Sequence, residues 1–96
     1  MRFTNKVVLL SNKMYDGSQD GILKELVRRD TALVCVAGVD AAFIEDILEE
    51  FAAADDSGAG DRLITTSHTD DSLEHVLAFA NAFDVGEPGD LSIIEI

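Results

Sequence analysis

Short runs of Val, Leu and Ile alternate along this chain with stretches whose apolar residues recur at helical spacing. That alternation restricts the fold more than any other feature. Four runs read as strands: 6–11 (KVVLLS), 31–37 (TALVCVA), a third spanning 61–66 with its apolar start at Leu63 and Ile64, and 91–96 (LSIIEI). Period-two and continuous apolar runs of this length, rich in branched residues, suit pleated strands. Between them lie three amphipathic stretches. In 20–29, Ile22, Leu23, Leu26 and Val27 form one face and Lys24, Arg28 and Arg29 the other. In the second, which follows Gly38 and an Asp40 cap, Phe43, Ile44, Ile47, Leu48 and Phe51 form a stripe opposite Glu45, Asp46, Glu49 and Glu50. In the third the stripe is Leu73, Val76, Leu77, Ala80 and Phe83. Such 3.6-residue spacing buries one face of a helix and wets the other.

Strands alternating with helices imply parallel pairing through right-handed crossovers. The expected fold is therefore α/β: a small three-layer βαβαβαβ parallel sheet, flavodoxin-like or half-Rossmann, with strand order 2-1-3-4. That order leaves the first helix alone on one sheet face. It also leaves the very apolar second strand at an edge, an arrangement proteins seldom tolerate uncovered. The 96 residues form one domain, 1–96, long enough for a modest core. A flexible loop is expected at 52–60 (AAADDSGAG) and a tight turn at 86–89 (GEPG).

Charge narrows the partners. Nineteen acids against seven bases give a net charge of −12. Six of the seven bases lie at or before Arg29, whereas sixteen acids and only Arg62 follow it. Nucleic-acid binding needs clustered Lys and Arg on phosphates, and docking on anionic lipid needs the same, so neither partner is expected. An acidic body of this kind suits solubility, a salt-rich habitat, or steering toward a basic protein. With one cysteine, Cys35, no internal disulfide forms, and its place in LVCVA suits a buried small hydrophobe. No signal-peptide pattern and no membrane-length apolar run are visible, so a cytoplasmic location is expected.

Chemistry-bearing residues gather where the third strand meets the third helix, at Thr66, Ser67, His68, Thr69, Asp70 and Asp71. Asp71 followed by Glu74 fits a capping box at the helix start, so Asp71→Ala is expected to cost about 1 kcal/mol. His68 sits on the loop leaving a strand, where open α/β sheets place ligands. A loop imidazole has little packing to lose, so stability is expected to ignore His68→Ala. Ser67 and His68 are no nucleophile–base pair, since neighbours in extended chain point apart. Thr66, Ser67, His68, Asp70 and Asp71, with Asp40 and Tyr15 from the other strand ends, are the candidate binding residues. His75 falls opposite the apolar stripe and reads as a solvated surface residue. Neither GxGxxG nor GxxxxGK occurs, nor CxxC, nor paired acids after the first strand, where Ser11 and Asn12 stand. No cofactor and no metal are expected, and no catalytic residue is assigned.

The segment LITTSHTDDSLEHVLAFANAF resembles the second half of an uncharacterised bacterial family of small α/β domains with a Thr-Thr-x-His elbow, and AGVDAAFIEDILEEF is similar to its earlier helix entry. The resemblance implies the α/β fold and marks Thr65, Thr66, His68 and Asp71 as motif positions. Ser67 and Phe43 stand where that family favours Trp. No activity comes with it.

Two functions follow. The favoured one is a small acidic non-catalytic protein-binding module, of the immunity or inhibitor type, engaging a basic partner. The alternative is a small enzyme or ligand-binding domain with its site at the strand C-termini around His68. A homodimer is also expected, because three short helices cannot hide the apolar residues of both sheet faces.

Overall fold

A computed structural model of the chain describes residues 5–29, 31–56, 58, 63–83 and 90–96. The elements run β1 (Lys6–Ser11), α1 (Asp20–Arg28), β2 (Leu33–Gly38), α2 (Ala41–Ala54), β3 (Ile64–His68), α3 (Leu73–Ala82) and β4 (Leu91–Glu95). The stretch expected to be a loop from residue 52 begins as the last turn of α2, which runs through Ala54. The start expected for the third strand at Asp61 and the turn at 86–89 lie outside the described residues.

All strands pair in parallel, and their order is β3-β2-β1-β4 rather than 2-1-3-4. The physical reason is edge avoidance. The two runs that are apolar on both sides, KVVLLS and LVCVAG, take the centre, where each residue of Val7–Leu9 and Leu33–Val36 is fully buried. The hydroxyl-bearing ITTSH and the mixed LSIIE take the edges. Stepping β1 to β2 to β3 in one direction with right-handed crossovers puts α1 and α2 on the same face. The return from β3 to the far side of β1 puts α3 alone on the other, so the lone helix is the third and not the first.

Strand alternation divides the core accordingly. Val7, Leu9, Val34, Val36 and Ile94 face α1 and α2, meeting Leu23, Leu26, Ile44 and Leu48. Val8, Leu33, Cys35 and Ala37 face α3, meeting Val76 and Ala80. Because α3 lies over β1 and β2, it leaves both flanks of its face bare: Ile64 on β3 is 42% exposed and Ile93 on β4 is 48% exposed. Lys6, at the start of β1, is buried with its ammonium against the C-terminal end of α3, where Nζ donates to the Ala80 carbonyl at 3.0 Å and the Asn81 carbonyl at 3.4 Å. A cation there complements the negative end of the helix dipole. No helix among the described residues is long and apolar enough to cross a membrane.

Candidate functional site

The β3–α3 elbow is built by the alternation of a strand. Thr66 lies beside Cys35 and His68 beside Ala37, so both side chains point toward α3. Being two residues apart on one face, they meet: Thr66 Oγ1 and His68 Nε2 are 2.8 Å apart. The chain then turns, and Asp71 swings back so that Oδ2 lies 2.9 Å from His68 Nδ1. The carboxylate accepts, so Nδ1 carries a proton, and Nε2 shares the second bond with the Thr66 hydroxyl. The Phe79 ring meets the imidazole edge to face at 5.0 Å between centroids. Behind Thr66 is the buried Cys35. Burial pushes its thiol up, while the Thr66 hydroxyl and the Lys6 charge pull the other way.

Two expectations about this elbow change. His68 is the last residue of β3 rather than a loop residue, and its side chain is only 10% exposed. It therefore has packing to lose. With two hydrogen bonds of about 1 kcal/mol each and a ring contact, His68→Ala is expected to cost roughly 2–3 kcal/mol, read from a chemical denaturation midpoint. Asp71 is not the helix cap. Ser72 holds that position with φ −69° and ψ 157°, and its hydroxyl accepts from the His75 amide at 3.2 Å.

Ser67 points to the opposite side of β3, and Asp70 is exposed in the turn, so the fold does not bring these two onto the chain of bonds. His75 is exposed. Tyr15 and Asp40 form a separate latch where β1 and β2 end. Asp40 occupies the N-cap position of α2 in the left-handed conformation (φ 57°), but its side chain makes no cap bond; its Oδ2 accepts from the Tyr15 amide at 2.9 Å instead. The Tyr15 hydroxyl donates to Asp20, which raises its pKa, and its ring packs on Phe43 at 5.4 Å. Close by, Asp16 is held down to about 2, chiefly by the Ser18 hydroxyl and then by the Ser18 amide.

The strand order also moves the point at which the sheet reverses direction. It lies between β1 and β4, and open sheets bind ligands at such a crevice. A hollow of about 310 Å³ occurs there, lined by Lys13, Ser18, Gln19, Ile22, Ile94, Glu95 and Ile96. His68, on the edge strand, is two strands away from it.

One grouping escaped the sequence reading. Thr65 points opposite to Thr66, and its hydroxyl lies 3.0 Å from Glu45 Oε2 and 2.9 Å from Glu49 Oε1. The i, i+4 spacing of Glu45 and Glu49 places both on one helix face, and this was the available signal. A hydroxyl has one proton, so it satisfies one carboxylate at a time. Glu45, Asp46, Glu49 and Glu50 make no salt bridge among the described residues. Nor do the described residues contain a group of three metal-ligating side chains.

Neither the curated proteins nor the solved structures include a match to this chain. A family model described as Domain of unknown function (DUF7684) matches residues 1–94. The chain, an α/β domain, therefore belongs to the uncharacterised DUF7684 family.

Proposed function

We propose that this protein is a small acidic binding module of the immunity or inhibitor type, which engages a partner through that partner's basic surface. The observation that carries the reading is the unneutralised outer face of α2. Its four carboxylates, Glu45, Asp46, Glu49 and Glu50, form no salt bridge among the described residues, and the exposed Asp70, Asp71 and Glu74 extend the negative surface around the β3–α3 elbow. Charge arranged this way steers association and selects against acidic partners. In the same reading, the Thr65–His68 elbow is the element shared by a bacterial family, and it serves as the rigid end of the binding edge.

A second copy of the chain is proposed at the opposite edge. β4 carries the half-exposed Ile93 and lies farthest from the acidic α2, so two such edges meet with the least repulsion. The two associations separate by salt. Partners retained on the immobilised chain from its source cells are expected to be basic, with association slowing at least about tenfold between 0.05 and 0.5 M salt. Self-association, followed by sedimentation, is expected to strengthen over the same range. A partner on-rate flat in salt removes the acidic-module reading, and a monomer at every salt concentration removes the second copy.

One observation favours the alternative, a small enzyme or ligand site at His68: the order Asp71–His68–Thr66 is that of carboxylate, imidazole and hydroxyl in a nucleophilic triad. Both ring nitrogens are already engaged and Phe79 packs against the ring, so the same atoms serve equally as a clamp between β3 and α3.

A further inference from the structure

We infer that the outer edge of β3 accepts an added strand, and that its occupant is an extended segment of a basic protein in which Lys or Arg alternates with apolar residues. The inference rests on the acidic-module reading and specifies how that module holds its partner.

β3 pairs only with β2 among the described residues. Its Ile64 amide donates inward to the Ala32 carbonyl at 2.9 Å. Backbone alternation then turns the amides and carbonyls of Thr65 and Ser67 outward, where they template another strand. Edges are commonly guarded by Lys, Pro or a bulge. ITTSH contains neither Lys nor Pro, and its register against β2 is unbroken from Ile64 to His68.

The two sides of this edge differ chemically. On the α2 side, Glu45 and Glu49 converge on the Thr65 hydroxyl with no cation between them. A residue placed opposite Thr65 on an added strand projects to that same side, so a Lys or Arg there completes the pair of carboxylates. On the α3 side, Ile64 is 42% exposed and takes an apolar neighbour. Alternate positions of the occupant are thus basic and apolar, which is the pattern by which strand addition acquires specificity. The other edge, β4, has Glu95 in place of such a carboxylate pair and does not fit a basic strand.

The probe is a synthetic Lys-Val-Lys-Val-Lys peptide added to the full chain, with binding read by fluorescence anisotropy and by amide exchange. The expected result is saturable binding with slowed exchange at the Thr65 and Ser67 amides, and weaker binding of a Glu-Val-Glu-Val-Glu peptide. Ser67→Pro removes an outward amide that β2 does not use, a position where an edge strand tolerates proline. It is expected to weaken the Lys-Val peptide at least about tenfold. Glu45→Lys with Glu49→Lys is expected to reverse the preference toward the Glu-Val peptide. A Lys-Val peptide N-methylated on alternate amides, tested in both registers against the unaltered protein, repeats the backbone test without depending on any variant's folding; loss of binding in one register is expected. Equal binding by both N-methylated registers, or by folded Ser67→Pro, overturns strand addition while leaving the acidic module in place. So does loss of self-association in Ser67→Pro, which makes a second copy the occupant. Absence of binding by both this peptide and any basic protein overturns the module reading as well.

Discussion

Gly38→Ala is expected to destabilise the protein by about 3 kcal/mol or more, a large part of the stability of a domain this size. Gly38 ends β2 with φ +92°, a conformation that L side chains rarely adopt. A Cβ added there lands 2.2 Å from the Ser11 carbonyl oxygen, 3.2 Å from its carbonyl carbon and 3.3 Å from its amide nitrogen. All three are backbone atoms of the neighbouring central strand, so no rotamer change relieves the contact. The register fixes it, since Ser11 pairs with Gly38 and the Ser11 carbonyl accepts from the Val39 amide at 3.0 Å. Relief requires parting the ends of β1 and β2. Two other glycines serve as controls in urea melts. Gly17→Ala, at φ +90° with open space around it, is expected to cost only about 1–2 kcal/mol. Gly21→Ala, inside α1 with nothing within 4 Å, is expected to stabilise by about 0.5–1 kcal/mol. A Gly38→Ala midpoint close to that of Gly17→Ala would remove the steric argument.

Leu9→Ala is expected to cost about 3–4 kcal/mol, while Ile93→Ala in the dilute chain costs under about 1 kcal/mol. The contrast follows from which face and strand each occupies. Leu9 is fully buried on central β1, between the sheet and the two-helix layer, in the cluster with Leu23, Leu26, Ile44 and Leu48. Those two helices leave its cavity little room to collapse. Ile93 lies on edge strand β4, on the side covered only by α3, and nearly half of it meets water. Denaturation at matched low concentration reads both. Equal losses would show that the β4 flank is covered, and a loss at Ile93 that grows with concentration would identify a second copy as the cover.

Much of the fold was legible because periodicity is local. KVVLLS reads as a strand from its composition alone, and β1 occupies those same six residues. The stripe Ile44–Leu48 with Ile47 and Phe51 likewise marks the packed side of α2, although Phe43 stands half outside it on Tyr15. Strand order is non-local, and the 2-1-3-4 expectation set aside the clue that LVCVA belongs at the centre. Caps were half legible for a different reason. Asp71 and Ser72 are both good cap residues, and only the backbone angles of Ser72 decide between them; Asp40 does stand at the start of α2, but its left-handed φ turns the carboxylate to Tyr15 in place of a cap bond. In the elbow, the opposed directions of Ser67 and His68 follow from extended chain, but with His68 read as a loop residue the strand that pairs it with Thr66 was not seen. Asp71 reaching over the turn and Phe79 covering the ring depend on where α3 docks, as does the meeting of Glu45 and Glu49 at Thr65.

The pairing of β1 with β4 has a consequence for synthesis on the ribosome. Lys6 is made well before its partner in the sheet, Leu91, which is translated several seconds later at about 5–20 residues per second. Throughout that interval α1, β2, α2 and β3 can assemble on one side of β1, but its other side stays an open edge lined by the most apolar residues of the chain. The buried ammonium of Lys6 also waits for the end of α3. The nascent protein thus passes through a stage in which its central strand is its outermost one. A chain stalled or cleaved before β4 emerges is the form in which this protein is most exposed to edge-to-edge aggregation.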